Sequence, residues 1–191
     1  TTLDFSIEEM TYLVDLALKL KTGKVKKSLK GKSLAMLFFN PSLRTRVSFA
    51  MAMHKLGGLA IDLPVQEGYT FEYEKGAVMN KGTIEHVKDA VGVLSRYCDA
   101  IAIRASELIT SSSNSVDVPS WKELKKDKVI KSFMEYGQVP VINMESNVYH
   151  PCQGLGDMVT IKEKLGDPKG KKYVLTWAYH PKALPMATPN S

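Results

Sequence analysis

The stretch LAMLFFNPSLRTRVSFAMAMHKL, residues 34–56, decides the fold of this chain. Its apolar start, Leu34–Phe39, predicts a buried strand that stops at an Asn-Pro pair. Apolar side chains then recur at helical spacing and predict a helix over Val47–Leu56. The stripe expected to be buried consists of Phe49, Ala52, Met53 and Leu56. A strand that leads directly into a helix is the repeating unit of an α/β sheet.

Two hydroxyls and two guanidiniums lie between this strand and this helix, at Ser42, Arg44, Thr45 and Arg46. The first N–H groups of a helix have no partner within it, and the helix dipole adds a partial positive charge there. The segment therefore predicts a phosphate site at the helix start. The alternative is an ordinary N-capped helix with surface arginines, because a single Ser or Thr is enough for capping.

The composition is that of a globular protein. The 191 residues carry 26 Lys and Arg against 20 Asp and Glu, a net charge of +6, and 44% are hydrophobic. The longest apolar runs are the length of strands, and no secretory signal pattern is present at the N-terminus. Two cysteines, Cys98 and Cys152, suggest reduced thiols and a cytoplasmic protein. Basic residues over 122–131 alternate with acidic ones and lack aromatic stacking partners, which argues against nucleic-acid binding.

Strand and helix patterns alternate along the rest of the chain. A capping box at Ser6–Glu9 opens the first helix, and Gly23 follows its end. Further strands are predicted at Leu59–Leu63, Ala100–Ile103, Val139–Asn143 and Lys171–Trp177. A further helix is predicted around Val87–Leu94. A second capping box at Ser120–Glu123 predicts another, which carries Leu124, Phe133 and Met134. A last helix is predicted to begin at His150-Pro151, with Leu155, Met158 and Val159 on one face. Gln66–Gly82 and Glu107–Pro119 are predicted as loops. This order predicts an α/β fold, a parallel sheet flanked by helices on both sides.

Polar residues follow the ends of the predicted strands. Arg104 follows the third strand, Glu145 follows the fourth, and His150 and Gln153 lie at the start of the next helix. In open α/β sheets ligands bind beyond the carboxyl ends of the strands, so these residues are expected to converge.

Two spaced motifs resemble the aspartate/ornithine transcarbamylase family: Ser-x-Arg-Thr-Arg at residues 42–46 and His-Pro-Cys-Gln at residues 150–153. Within the family, Phe38–Arg46, Val141–Glu145 and Tyr173–Lys182 are similar to the N-acylornithine branch, the acetylornithine and succinylornithine transcarbamylases. The resemblance runs from about Asp4 to the last residue. It implies a carbamoyl-phosphate-binding domain over residues 1–149, an interdomain helix over 150–168, and the truncated start of an amino-acid-binding domain over 169–191.

The resemblance also implies a reaction and roles for particular residues. The carbamoyl group of carbamoyl phosphate would pass to the δ-amine of an N-acyl-L-ornithine, giving N-acylcitrulline and phosphate in arginine biosynthesis. The implied catalytic residues are Thr45, Arg104 and His150, which would point at the carbamoyl oxygen. The implied carbamoyl-phosphate-binding residues are Ser42, Leu43, Arg44, Thr45, Tyr69, Arg104, His150, Pro151, Cys152 and Gln153. Glu145 would lie near the acylornithine. No cofactor and no metal is implied, and family members are homotrimers with shared sites.

Two positions depart from the N-acylornithine branch. Tyr69 stands where its members carry a Trp that reaches into the neighbouring subunit's site. Ile84 aligns with a position that is Glu in the acetylornithine enzymes and Pro in the succinylornithine enzymes. A glutamate there would repel the extra carboxylate of a succinyl group. Ile84 would not, so it slightly favours succinylornithine, whereas the rest of the chain is more similar to the acetyl enzymes.

Plainer interpretations remain for several residues. His150 would then only cap its helix, Arg104 would be a surface ion-pair donor, and Glu145 would be an exposed loop carboxylate. His54 and His86 are predicted as ordinary helix residues, Cys152 is not predicted as a nucleophile, and a place for His180 near an interdomain cleft is left open. The alternative functions are an ordinary ornithine carbamoyltransferase and a non-catalytic carbamoyl-phosphate-binding relative.

Overall fold

The computed structural model describes residues 1–65, 69–80, 82–106 and 120–176, and of Trp121 the backbone only. The strands are β1 (Ser33–Phe38), β2 (Leu59–Pro64), β3 (Phe71–Glu72), β4 (Glu85–His86), β5 (Ala100–Arg104) and β6 (Val141–Glu145). The helices are α1 (Ile7–Lys21), α2 (Arg44–Lys55), α3 (Val87–Tyr97), α4 (Trp121–Leu124), α5 (Lys128–Tyr136) and α6 (Pro151–Leu165), preceded by a 3-10 turn at Thr2–Asp4. The predicted loop Glu107–Pro119 and the chain from Trp177 onward, with His180, lie outside the described residues.

Four parallel strands form the main sheet, in the order β2-β1-β5-β6. The chain runs from β1 outward to β2 and then returns to the other side of β1 as β5. The strand order therefore reverses between β1 and β5, which is where open α/β sheets bind their ligands. The predicted phosphate segment follows β1 and Arg104 ends β5, so both stand at this switch point. The α/β prediction is confirmed.

Strand β1 is buried on both faces, because alternate side chains of a strand point in opposite directions. Leu34, Met36 and Phe38 pack into one buried cluster with Met53 of α2. The two residues between them pack into a second cluster with α3 and α5. This double burial explains why the strand is a continuous apolar run rather than an alternating one.

Helix α2 begins at Arg44, three residues earlier than predicted. The buried side of the helix centres between Phe49 and Ala50 and includes Met53. Ala52 is exposed, so the predicted stripe was wrong at that position. At 100° per residue, Ala52 stands about 100° away from the centre of the buried face.

The single helix predicted after Ser120 is two helices, α4 and α5, separated by Asp127. This residue has φ of 48° and is the one non-glycine residue with positive φ among those described. Aspartate tolerates this left-handed conformation better than most residues because its short side chain can bond locally. Phe133 of α5 is fully buried as predicted, but Met134 is exposed.

The strand predicted at Lys171–Trp177 is wrong for the described part, residues 171–176, which are exposed and form no strand. An extended segment becomes a strand only when a neighbour accepts and donates its backbone hydrogen bonds, and the described chain offers none there. Met158 of α6 is also exposed rather than buried. Conversely, β3 lies inside the segment predicted as a loop, Gln66–Gly82, so that prediction was wrong at Phe71–Glu72, which pairs in parallel with β4. No helix in the described ranges is both long and apolar enough to cross a bilayer.

Asp127 joins the α4–α5 break to the loop that follows β6. Its carboxylate accepts from the Ser146 hydroxyl at 2.6 Å and from the Asn147 N–H at 2.9 Å, and the residue is buried. Burial raises the pKa of Asp127, against the hydrogen bonds that lower it. The loop held in this way connects Glu145 to His150.

Replacing this carboxylate is expected to destabilise the fold. Asp127→Ala should lower the free energy of unfolding by about 2–4 kcal/mol, because it removes the acceptor of the Ser146 hydroxyl and the buried Asn147 N–H and places alanine in a left-handed backbone conformation. Asp127→Asn keeps one acceptor oxygen and should cost about half as much or less. Urea unfolding of the full chain measures both, with the exposed Asp167→Ala as control. Equal unfolding midpoints for wild type and Asp127→Ala would contradict the assignment.

Candidate active site

A cleft of about 630 Å³ opens where β1, β5 and β6 end. It is lined by nine residues that the sequence predicted as site residues: Ser42, Leu43, Arg44, Thr45, Arg104, Glu145, His150, Cys152 and Gln153. It is also lined by four that sequence reasoning missed: Pro41, Ser48, Phe49 and Gly156. The missed residues lie within four positions of the two motifs, and this closeness in sequence could have indicated them. Two motifs about a hundred residues apart in sequence thus share one cleft.

The start of α2 is open to this cleft. Its N-cap is Leu43, which makes no side-chain capping bond. The first hydrogen bond within the helix runs from the Val47 N–H to the Leu43 carbonyl, at 3.1 Å. The N–H groups of residues 44–46 therefore have no partner within the helix. This geometry contradicts the alternative of a helix simply capped by a Ser or Thr and leaves donors, with the exposed Arg44, beside the cleft.

The second guanidinium of the motif, on Arg46, is used elsewhere, so the expectation that both arginines serve the phosphate site was wrong. Its Nη1 donates to Asp62 Oδ2 at 2.6 Å, and its guanidinium lies 4.3 Å from the centroid of the Phe38 ring. Two positions along a helix correspond to about 200° of rotation, so Arg44 and Arg46 point to opposite sides.

Arg104 and Glu145 form a buried ion pair between the ends of β5 and β6. A register shift between Ile103 and Arg104, a β-bulge, brings these two residues opposite each other. Arg104 Nη1 also donates to Thr45 Oγ1 at 3.3 Å. Arg104 is 9% exposed and Glu145 2%, so neither is the surface residue of the plainer interpretation.

Burial governs the charges of this pair. Desolvation raises the pKa of Glu145, and the positive charge of Arg104 opposes that rise. Desolvation likewise lowers the pKa of Arg104. Arg104 Nε is buried and meets no hydrogen-bond acceptor among the described atoms. An unsatisfied buried donor is costly, and such donors are found where a ligand or water completes the site.

His150 caps α6 and also lines the cleft. Its Nδ1 accepts from the Gln153 N–H at 3.3 Å, and a ring nitrogen that accepts carries no proton. Burial, reinforced by the charge of Arg104, lowers the pKa of His150 to about 4. At neutral pH the ring is therefore uncharged with its proton on Nε2, which lies 3.8 Å from Glu145 Oε2. The residue is a neutral hydrogen-bond donor at the cleft.

Gln153 and Cys152 continue the cleft wall along the first turn of α6. Gln153 Nε2 donates to Asp157 Oδ1 at 2.8 Å. Burial raises the pKa of Cys152, so its thiol stays protonated and is a poor nucleophile. Pro151 is the first residue of α6 and does not line the cleft.

Asn40 and Ser106 join the backbone beyond β1 to the backbone beyond β5. Asn40 Nδ2 donates to the Ser106 carbonyl at 3.0 Å, and the Ser106 N–H donates to Asn40 Oδ1 at 2.6 Å. Both residues are buried. This reciprocal pair fixes the distance between the phosphate segment and Arg104.

Tyr69 and Ile84 lie away from this cleft. The Tyr69 hydroxyl donates to the Glu85 carboxylate, and its ring packs edge-on against Phe71 with centroids 5.4 Å apart. Ile84 is 55% exposed. The structure therefore does not bring Tyr69 to the cleft with the other predicted carbamoyl-phosphate-binding residues.

The two other histidines in the described ranges, His54 and His86, have ordinary surroundings. His86 caps α3 by accepting from the Lys88 N–H, and His54 is exposed on α2. Among the described residues, no three His, Cys, Asp or Glu side chains are grouped so that they would hold a metal ion.

Comparison with known proteins identifies the family. Residues 1–163 match the family model described as aspartate/ornithine carbamoyltransferase, carbamoyl-P binding domain. The chain is 43% identical over its full length to an N-acetylornithine carbamoyltransferase of Xanthomonas campestris pv. campestris, of which it covers 54%. It is 36% identical over 85% of its length to an N-succinylornithine carbamoyltransferase of Bacteroides fragilis, of which it covers 48%.

Solved structures give the same picture. An N-acetyl-L-ornithine transcarbamylase mutant complexed with carbamyl phosphate and N-succinyl-L-norvaline superposes with a TM-score of 0.87 at 42% identity, over 100% of this chain and 55% of that one. An acetylornithine transcarbamylase complexed with acetylcitrulline superposes with a TM-score of 0.86 at 42% identity, over 99% and 55%. The chain spans about half the length of the relatives it matches. Its sheet, its cleft and the match over residues 1–163 together make it a member of the aspartate/ornithine carbamoyltransferase family, through the carbamoyl-phosphate-binding domain.

Proposed function

We propose that the cleft binds carbamoyl phosphate and serves transfer of its carbamoyl group to the δ-amine of an N-acyl-L-ornithine, giving N-acylcitrulline and phosphate. The observation that carries this proposal is the meeting of an uncapped helix start with Arg104 and a neutral His150 in one cleft. The helix start supplies donors for a phosphate dianion, and Arg104 and His150 supply donors for a carbonyl oxygen.

The phosphate would bind at the start of α2. The unpaired N–H groups of the first turn and the positive end of the helix dipole favour an anion there. The Arg44 side chain is exposed at the cleft and can form a two-pronged contact with phosphate oxygens. As the bond to the carbonyl carbon breaks, the leaving phosphate gains charge, and the same donors stabilise it.

The carbamoyl oxygen would lie near Thr45, Arg104 and His150. Attack by an amine on the carbonyl carbon places negative charge on that oxygen, so donors already fixed in direction stabilise the transition state. Arg104 is fixed by Glu145 and Thr45, and His150 is fixed through Nδ1. Removing one such donor commonly slows a reaction about 10²- to 10³-fold.

The role implied for Glu145 takes a different form in this proposal. Its carboxylate is 2% exposed and holds Arg104, so it would serve the reaction by orienting that guanidinium. Direct contact with the acylornithine would require this buried carboxylate to become accessible while it holds Arg104.

The identity of the acyl group, the oligomeric state and the cellular location are separate parts of this proposal. The N-acetylornithine enzymes are more similar to this chain than the N-succinylornithine enzymes, while Ile84 favours the succinyl substrate. Homotrimers with shared sites, in which Tyr69 and Ile84 would serve a neighbouring subunit, remain a proposal supported by their place outside the cleft. The division into domains after residues 149 and 168 and a cytoplasmic location are likewise proposals.

Substrate choice is tested by turnover of the full-length protein with carbamoyl phosphate and three amines. Product is expected from N-acetyl- or N-succinylornithine and not from ornithine. Turnover of ornithine alone would favour the ordinary ornithine carbamoyltransferase. Tight binding of carbamoyl phosphate without turnover of any amine would favour the non-catalytic relative.

The two arginines of the motif offer a matched pair of variants. Arg44→Gln removes a charged donor at the cleft and should weaken carbamoyl phosphate binding about 10- to 100-fold, since hydrogen bonds to charged groups are worth about 1.5–3 kcal/mol. Arg46→Gln removes the neighbouring charge, which pairs with Asp62, and should change binding less than about threefold. Titration calorimetry measures both, and equal losses in the two variants would contradict the assignment of Arg44.

The protonation of His150 is a third test. Because its folded pKa is about 4 and the ordinary value is 6.5, the unfolded chain takes up the proton first as pH falls. This group therefore contributes no pH dependence to stability above about pH 6.5 and progressively destabilises the fold between about pH 6.5 and 4. Nitrogen-15 NMR of labelled histidine should find His150 neutral at pH 6, with its proton on Nε2. A charged ring at that pH would refute the assignment.

A further inference from the structure

The carboxylate of Asp157 lies four residues beyond the His-Pro-Cys-Gln segment and does not line the cleft, yet it contacts a side chain that does. Gln153 and Asp157 are four residues apart on α6 and so share one side of the helix. The Gln153 amide nitrogen donates to Asp157 Oδ1 at 2.8 Å. Asp157 is partly buried, and its negative charge also acts on His150, whose pKa it raises against the larger effects of burial and Arg104.

This contact determines the orientation of the Gln153 side-chain amide. The two ends of a glutamine amide have nearly the same shape, so its direction is set by its partners. An ionised carboxylate only accepts hydrogen bonds, so the end that faces Asp157 must be the NH₂ group. The oxygen is then the end that remains for the cleft, which Gln153 lines.

We propose that Asp157 is a positioning residue that holds Gln153 as a hydrogen-bond acceptor and thereby makes the cleft select a ligand NH₂ group. This rests on the proposed function, in which the ligand is carbamoyl phosphate; its amino group would donate to the Gln153 oxygen that remains for the cleft. Without Asp157 the amide turns freely between an acceptor and a donor end. An NH₂ end facing the ligand NH₂ gives two donors and no acceptor, which cancels the recognition.

The plainer explanation is that Gln153 and Asp157 form one of the weak pairs that stabilise any exposed helix, worth about 0.2–0.5 kcal/mol. The two explanations differ in what they predict for ligands. A helix-stabilising pair affects every ligand of the cleft equally. A positioning pair affects only ligands that carry the NH₂ group.

The test compares carbamoyl phosphate with acetyl phosphate, in which a methyl group replaces the amino group and the phosphate is unchanged. In the wild-type full chain, calorimetry should show tighter binding of carbamoyl phosphate. Asp157→Ala should weaken carbamoyl phosphate about three- to tenfold, because the ligand must then order the freed Gln153 side chain itself, and should leave acetyl phosphate within about twofold. Asp157→Asn offers both an acceptor oxygen and a donor NH₂, so it no longer fixes the direction of the Gln153 amide and should also weaken carbamoyl phosphate while leaving acetyl phosphate within about twofold.

Glu163→Ala is the matched control, since it removes another carboxylate of α6, one that pairs with Lys21 away from the cleft. It should leave both affinities unchanged. Equal weakening of both ligands by Asp157→Ala, or no change in either, would overturn the proposal. So would equal wild-type affinity for carbamoyl and acetyl phosphate. Wild-type binding of carbamoyl phosphate no tighter than inorganic phosphate would instead refute the proposed function itself.

Discussion

The buried contact between Arg104 and Glu145 is the interaction on which the site depends. It joins the ends of two neighbouring strands, and it places a guanidinium that also reaches Thr45 at the start of α2. Neither charge would be stable there alone, because an uncompensated charge in a buried place costs several kcal/mol. The β-bulge before Arg104 makes the pairing possible by shifting the register by one residue. Three elements of the fold therefore meet at a single cation.

The side chains around the Arg104 guanidinium are of two kinds, buried ones with fixed positions and exposed ones. Arg104 and Glu145 are buried and bonded to each other, and His150 is held by the backbone of α6. Arg44 and Gln153 are exposed and face the cleft. In the proposed reaction the fixed groups would lie where charge develops on the carbamoyl oxygen, and preorganised donors are most effective there. The exposed groups would contact the parts of the ligand that enter and leave.

Much of the fold and of the site could be predicted from the sequence, because in an α/β fold the order of strands and helices determines where the strand ends lie. A doubly buried strand reads as an unbroken apolar run, and parallel strands bring their carboxyl ends together, so the convergence of Arg104, His150 and the phosphate segment followed. The direction of Arg46 could also have been predicted from the 200° that separate it from Arg44. Other features had no local signal. The break at Asp127 depends on a left-handed backbone stabilised by a loop distant in sequence, and the place of Tyr69 depends on a two-residue strand pair.

The reciprocal amide pair of Asn40 and Ser106 has a dynamic consequence. Both hydrogen bonds are buried, and they connect the Asn40 side chain, two residues beyond β1, to the backbone of Ser106, two residues beyond β5. Such bonds open only when the surrounding sheet opens, so the Ser106 amide should exchange with deuterium at the rate set by global unfolding. If so, the spacing between the helix start and Arg104 changes only when this end of the sheet opens.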